Sequence, residues 1–205
     1  MKEYKEDHPK GLSLLEYYGG KIEMKQTTQY KYLGFIISHT GDNMANIKQV
    51  KQKSIGITRK LLNRLKSLNL KQYYFECSII LMNVMLRGSI LYAADMYYNL
   101  KETEYRQIER IEEFYMRKVL NTTKGCPIVS LYLSLGQTPA RFEIQKMRLL
   151  FLKYALEQPA ESSIFKILKL QIEKPTKGDW VSSCQNDLEK LNFKLTFEEI
   201  KSMKK

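Results

Sequence analysis

The sequence lacks the residue clusters on which most catalytic sites are built. It contains two histidines, and its three cysteines, Cys77, Cys126 and Cys184, form no Cys-x-x-Cys pair, which excludes a zinc ribbon or knuckle. No two aspartates are adjacent, so the paired carboxylates of a two-metal polymerase or nuclease site are missing. There is no glycine-rich phosphate loop, nucleophile elbow or His-Glu-x-x-His motif. We therefore predict no catalytic residue, no metal site and no cofactor.

Acidic residues are also scarce. Asp and Glu number 22 against 34 Lys and Arg, which leaves a net charge of +12 over 205 residues. Such an excess repels itself unless an anionic partner screens it, so nucleic acid is the predicted partner. An anionic membrane surface is one alternative, and an ordinary domain with a basic surface is another. Few, widely spaced cysteines suit a reducing compartment, which predicts an intracellular location, nuclear or cytoplasmic.

Long apolar runs are missing as well. The most apolar stretch, residues 73–98, is interrupted by charges at Glu76, Arg87 and Asp95. Because a membrane helix needs about 20 predominantly apolar residues, we predict no membrane span and a core helix instead, or two helices joined at Gly88. The stretch is nevertheless rich in Tyr and Met, which is typical of interfaces. A helical protein-interaction module that docks on a separate partner chain is therefore the alternative function.

The apolar periodicity predicts a mainly α protein, a helical bundle preceded by a small N-terminal antiparallel β element. Residues 1–42 contain short alternating runs, and residues 30–38 are predicted to form one strand of this β element. In residues 43–158 the apolar residues recur every three or four positions, as in a helical domain. Residues 159–205 contain shorter helical segments and are predicted to form a C-terminal appendage.

An amphipathic helix is predicted around residues 105–119. Its apolar positions share one face, and acidic residues alternate with arginines on the rest of the helix. Opposite charges three or four residues apart stabilise an exposed helical surface. The acidic residues Glu104, Glu109 and Glu112 are therefore predicted to lie on a mixed, solvated face.

One predicted helix contains no acidic residue. Between Asn43 and Phe75 there is no Asp or Glu, and Ile and Leu side chains recur on one face. Ordinary surface helices mix charges of both signs, whereas a purely cationic face can follow phosphates by releasing their condensed counterions. The alternatives are a solvated charged face and a membrane-surface helix. The candidate nucleic-acid-binding residues are Lys48, Lys51, Lys53, Arg59, Lys60, Arg64 and Lys66.

The segment Lys31-Tyr32-Leu33-Gly34 resembles a motif in the reverse transcriptases of LINE-type (non-LTR) retrotransposons, at the edge of the palm where the thumb begins. The likeness continues in order through a glycine turn, the basic helix, and an apolar helix that ends in Ile90-Leu91-Tyr92-Ala93. It then includes Leu135-Gly136 and an arginine-rich helix that begins at Pro139. The resemblance covers about residues 14 to 157.

This resemblance implies a specific arrangement of roles. Tyr32, Leu33 and Gly34 would form a primer-grip-like strand, and the helices that follow would form a thumb on the template–primer duplex. The implied partners are an RNA–DNA or RNA duplex, contacted through its backbone, and a separate polymerase palm chain. The family's paired catalytic aspartates precede the Tyr-Leu-Gly strand, and no such pair occurs before Tyr32. The expected function is that of a reverse transcriptase fragment that binds template–primer but is not an enzyme as an isolated chain.

Overall fold

The architecture comes from a computed structural model, which describes residues 16–17, 20–21, 27–41, 43–68, 70–97, 99–176 and 178–202. The chain divides into two compact units, Met1–Gly41 and Asp42–Lys205. The first contains short antiparallel strands, and the second is helical throughout its regular structure. The predicted fold class, mainly α with a small N-terminal antiparallel β element, is confirmed.

The first unit contains two strand pairs. Strand β1 (Glu16–Tyr17) pairs with β2 (Gly20–Lys21), and β3 (Gln29–Tyr32) pairs with β4 (Phe35–Ser38), both antiparallel. In the second pair Gln29 lies opposite Ser38 and Tyr32 lies opposite Phe35. The register therefore leaves a connection of only two residues between β3 and β4.

Leu33 and Gly34 form this two-residue turn, with φ angles of 46° and 92°. Two consecutive positive φ angles are the signature of a type I′ hairpin turn, whose twist matches that of the paired strands. The prediction of one continuous strand over residues 30–38 is therefore wrong. Gly34 accepts the left-handed backbone without steric cost and lets the chain reverse, whereas the apolar content of residues 30–38 alone does not reveal the reversal.

The second unit is built around two central helices. α4 contacts α1, α5 and α6, while α6 also contacts α7, α8 and α9. A single helical path between residues 74 and 90 consists of α2, a π-helical segment and α3, which pack on α1. The helical elements are α1 (Met44–Ser67), α2 (Tyr74–Leu81), the π-helical segment (Met82–Arg87), α3 (Gly88–Ile90), α4 (Glu102–Val119), α5 (Ile128–Ser134), α6 (Ala140–Leu156), α7 (Ser163–Glu173), α8 (Trp180–Lys190) and α9 (Phe197–Ser202).

Helices α6 to α9 share one apolar core. Leu152 and Leu156 of α6 are buried together with Leu168 of α7, Cys184 of α8 and Ile200 of α9. Burial raises the pKa of the Cys184 thiol to about 12, so this side chain behaves as an apolar core residue. Helices α7, α8 and α9, which lie in the segment that the sequence predicts as an appendage, thus pack on α6 within the second compact unit.

Several helix ends follow local sequence signals. Asp179 caps α8, where its Oδ1 accepts a hydrogen bond from the Ser182 amide at 2.6 Å. Thr196 and Glu199 form a capping box at the start of α9, with the Glu199 carboxylate accepting from the Thr196 amide at 2.7 Å. The helix predicted after Thr138 is confirmed, since α6 begins at Ala140, the residue that follows Pro139. These boundaries depend on neighbouring residues alone, which is why the sequence predicts them.

In the apolar stretch of residues 73–98 the continuous helical path ends at Ile90, and a single 3-10 turn follows at Ala94–Met96. Met82, Leu86 and Ile90 are buried, and the chain then turns at Ala93, which has a φ of 55°. The opposite side of the same helical path carries exposed apolar side chains, including Val84. The prediction of a core helix therefore holds for one face. No helix in the part of the chain that the structure describes is long and apolar enough to span a bilayer.

Glu104, Glu109 and Glu112 of α4 are buried, which overturns the solvated face predicted for these three residues. The Glu104 carboxylate accepts a hydrogen bond from the Lys101 amide at 2.7 Å, and Glu109 accepts one from Arg141 at 3.1 Å. Glu112 is completely inaccessible to solvent. Tertiary packing covers these carboxylates because α6 brings its own arginine and backbone donors against α4, which helical periodicity cannot foresee.

Glu112 connects α4 to three other segments. Its Oε1 accepts from Arg87 Nε at 2.8 Å, and its Oε2 accepts from the Tyr132 hydroxyl and the Ala140 amide, each at 2.9 Å. Arg87 also donates to the carbonyl of Thr138. Burial raises the pKa of Glu112, while the Arg87 guanidinium opposes that shift. The carboxylate is thus held by donors from the π-helical segment, α5 and the start of α6.

A second buried ion pair joins α6 to α8. Arg148 Nε donates to Asp187 Oδ2 at 2.8 Å, and both side chains are almost entirely buried. The remaining guanidinium contacts reach the Tyr97 carbonyl at 2.8 Å and the Tyr105 hydroxyl at 3.0 Å. Gln145 adds a hydrogen bond to the other Asp187 oxygen at 3.0 Å. This network connects the loop before α4, α4 itself, α6 and α8.

We expect Arg87→Met to lower the free energy of unfolding by about 3–5 kcal/mol, because it leaves the buried Glu112 carboxylate without its cationic partner. Adding Glu112→Gln should recover a large part of this loss, since the amide oxygen can still accept hydrogen bonds and carries no charge. Urea unfolding followed by circular dichroism measures both effects.

The matched control is Arg106→Met, which removes an exposed ion pair with Glu102 on the same helix and a 3.8 Å contact with Glu109, a carboxylate that keeps Arg141 as its partner. It should cost less than about 1 kcal/mol, as exposed pairs do. A loss for Arg87→Met no larger than that of Arg106→Met would contradict the role assigned to the Glu112 network.

Candidate nucleic-acid interface

One face of helix α1 packs on the rest of the second unit. Ile47, Leu61 and Leu65 are buried there, as are the polar side chains of Ser54 and Thr58. These residues recur at three- and four-residue spacings, as predicted, and pack against α4 and the helical path that contains α2 and α3. Because the buried stripe holds one side of α1 against the core, the rest of the helix surface faces solvent.

The predicted cations all lie on that solvent-facing surface. The seven side chains are exposed, and none of them forms an ion pair with a carboxylate in the part of the chain that the structure describes. α1 itself has no acidic residue. The structure therefore brings together on one helix every residue predicted from the sequence to bind nucleic acid, namely Lys48, Lys51, Lys53, Arg59, Lys60, Arg64 and Lys66.

Helical geometry divides these cations into two rows. Each residue advances about 100° around the axis, so side chains seven or eleven positions apart nearly coincide in direction. The first row contains Lys48, Arg59 and Lys66. Lys51 lies beside this row, on the side nearer to the buried stripe. The second row contains Lys53, Lys60 and Arg64. The two rows lie about 130° apart around the helix axis, on opposite flanks of the buried stripe.

The surface between the two rows is uncharged. Gln52, Gly56 and Asn63 point between them, about opposite the buried stripe, and we call these three residues the ridge. Gln52 and Asn63 are exposed, and their amides can both donate and accept hydrogen bonds. A Cβ atom added at Gly56 would have no neighbour within 4 Å, so its surroundings are open. The sequence already marks Gln52 and Asn63 as uncharged donors on the basic helix, and the helical projection adds that they lie with Gly56 between the two rows.

The predicted primer-grip-like residues lie at the tip of the β3–β4 hairpin. Tyr32 and Leu33 are exposed, at 54% and 74% of their full surface, and Gly34 is partly exposed. Leu33 occupies a left-handed backbone conformation that disfavours residues with a side chain, which makes this position strained. The hairpin belongs to the first compact unit, and the cationic helix belongs to the second.

In the described ranges, no group of three or more His, Cys, Asp and Glu side chains could hold a metal ion. The chain matches no protein-family model, no curated protein and no solved structure. The function must therefore be inferred from the chemistry of the chain's own surfaces, and α1 carries the strongest chemical signal among the described residues.

Proposed function

We propose that this chain is a duplex-binding module and that α1 lies along a groove of an RNA-containing duplex. We further propose that it corresponds to the palm edge and thumb of a LINE-type reverse transcriptase and binds template–primer without polymerising it. The observation that carries the proposal is the pair of cationic rows on a helix free of acidic residues. The resemblance of Lys31-Tyr32-Leu33-Gly34 to the family motif supplies the choice of nucleic acid.

The spacing of the rows suits a duplex. Each groove of a duplex is bordered by two phosphate backbones, and an α-helix is about 10–12 Å across with its side chains. When the ridge faces the groove floor, one row faces each backbone. Residues 48 to 66 extend about 27 Å along the axis, so successive cations can reach successive phosphates. These contacts position a protein on a duplex without reading its sequence.

The ridge favours an A-form duplex over B-form DNA. In A-form helices the minor groove is wide and shallow, and it displays the 2′-hydroxyl groups. The amides of Gln52 and Asn63 can hydrogen-bond to such hydroxyls, while Gly56 lets the helix backbone approach closely. An RNA–DNA hybrid or an RNA duplex is therefore the expected ligand.

One observation favours the second candidate function, a protein-interaction module. The outer side of the helical path between residues 74 and 90 carries exposed apolar side chains: Ile80 and Val84, four residues apart, are 59% and 69% exposed. An exposed apolar strip of this kind marks interaction surfaces. The partner expected in this case is a separate polymerase palm chain.

We expect the combined variant Lys53→Gln, Lys60→Gln and Arg64→Gln to weaken binding to an RNA–DNA hybrid and to flatten its salt dependence. Each lost phosphate contact should reduce the slope of log Kd against log salt concentration by about 0.9. Fluorescence anisotropy over a series of salt concentrations measures affinity and slope together.

The control removes three exposed cations elsewhere on the second unit, with Arg110→Gln, Lys118→Gln and Lys124→Gln. The two variants have the same net charge, so any difference between them reports the position of the charges. Equal slopes for the two triple variants, or a salt-independent affinity of the unmodified chain, would refute α1 as the interface.

Replacing the ridge amides by Gln52→Ala and Asn63→Ala should reduce the preference for the hybrid over a DNA duplex of the same sequence by roughly tenfold, because each hydrogen bond contributes about 0.5–1.5 kcal/mol. The salt slope should not change, since no charge is lost. Gln185→Ala, at an exposed position on α8, serves as the control. A preference that survives the double substitution would show that the ridge does not contact the duplex.

For the second candidate, Val84→Lys should abolish nuclease-resistant co-purification with a palm chain, because it places a charge in the exposed apolar strip. Val129→Lys, at a similarly exposed position on α5, should have no effect. The interaction module would be ruled out if the chain is monodisperse and no palm chain co-purifies with it.

A further inference from the structure

A polar pocket lies outside the cationic helix, between the start of α4, α6 and α8. It encloses about 300 Å³, and no residue of α1 lines it. Most of its lining residues have polar or charged side chains, including Asn99, Tyr105, Arg148, Asp187 and Lys190. A cavity of this size and composition is suited to a small hydrophilic ligand.

The buried ion pair of Arg148 and Asp187 forms part of the pocket lining. Both carboxylate oxygens of Asp187 accept hydrogen bonds, Oδ2 from Arg148 and Oδ1 from Gln145 at 3.0 Å. Its charge is therefore neutralised by the neighbouring guanidinium. The remaining charged side chain of the lining, Lys190, is exposed and leaves the pocket with one net positive charge.

Two buried donors of the lining are left over. A guanidinium has five N–H groups. In Arg148, Nε and Nη2 serve Asp187, Nη2 also serves the Tyr105 hydroxyl, and Nη1 donates once, to the Tyr97 carbonyl. One Nη1–H therefore lacks an acceptor among the described residues. The Tyr105 hydroxyl accepts from Arg148, and no described residue accepts its own hydrogen.

We propose that this pocket binds a phosphate monoester. Unused N–H and O–H donors in a pocket that Lys190 also lines favour a ligand that only accepts hydrogen bonds and carries negative charge, and a phosphate group has both properties. The volume leaves room for a small polar body beside the phosphate. Two sources share this chemistry, a free small phosphate and the phosphorylated end of a nucleic acid strand.

The test is a titration of the full chain with sodium phosphate at constant ionic strength, with the Lys190 amide followed by nuclear magnetic resonance. We expect a saturable shift, whose midpoint rises at least fivefold in Lys190→Gln and in Tyr105→Phe. Lys194→Gln, which removes an exposed cation that does not line this pocket, should leave the midpoint unchanged. Because Lys190 is exposed, its substitution should not impair folding.

The two sources are separated by titrating RNA dinucleotides with a 5′-phosphate or a 5′-hydroxyl end and ribose 5-phosphate. Tighter binding of the phosphorylated dinucleotide than of ribose 5-phosphate assigns the pocket to strand ends, and the reverse order assigns it to small phosphates. Absence of saturable binding by any phosphate, or binding unaffected by both Lys190→Gln and Tyr105→Phe, would overturn the proposal. The α1 variant with Lys53, Lys60 and Arg64 replaced should retain the site, so its outcome is independent of duplex binding.

Discussion

The buried carboxylate of Glu112 joins four segments of the helical unit at one point. Arg87, the Tyr132 hydroxyl and the Ala140 amide all donate to it, so the π-helical segment, α5 and the start of α6 are positioned against α4. Removing an ion from water costs several kcal/mol, and the cost is offset only when all its donors are in place. Alternative packings that separate any of these segments would leave the charge uncompensated, which favours a single arrangement of the helices.

The cationic helix depends on this arrangement. α1 packs on α4 and on the helical path that ends at Ile90, and both are tied to Glu112, directly or through Arg87. The buried stripe of α1 therefore packs on a fixed surface. The rest of the helix, with the seven cations and the ridge, faces solvent. A surface that is ordered before binding loses less conformational entropy when a ligand arrives. The same physical logic applies to the Arg148–Asp187 pair, which shapes the pocket between α4, α6 and α8.

Much of the fold could be predicted from local signals. The cap at Asp179, the capping box at Thr196, and the course of α1 depend on residues within one or two helical turns of each other. The exposure of all seven α1 cations follows in the same way from periodicity. The reversal at Leu33 and Gly34 was missed because apolar residues lie directly on both sides of the turn, and the burial of Glu112 was missed because its partners are 20 to 28 residues away in the chain. The primer-grip-like role of Tyr32, Leu33 and Gly34 stays a prediction.

The sequence by itself determined that this is a basic, mainly helical protein with one helix that bears only positive charge. These properties depend on composition and on the 3.6-residue period, which need no knowledge of long-range contacts. Only the tertiary structure decided which charges are solvated and which are buried. Charged side chains of the same type are exposed on α1 and enclosed between α4, α6 and α8, because burial depends on the donors and acceptors that distant segments bring into contact. The pocket beside Arg148 exists for that reason, since its polar groups come from separate parts of the chain.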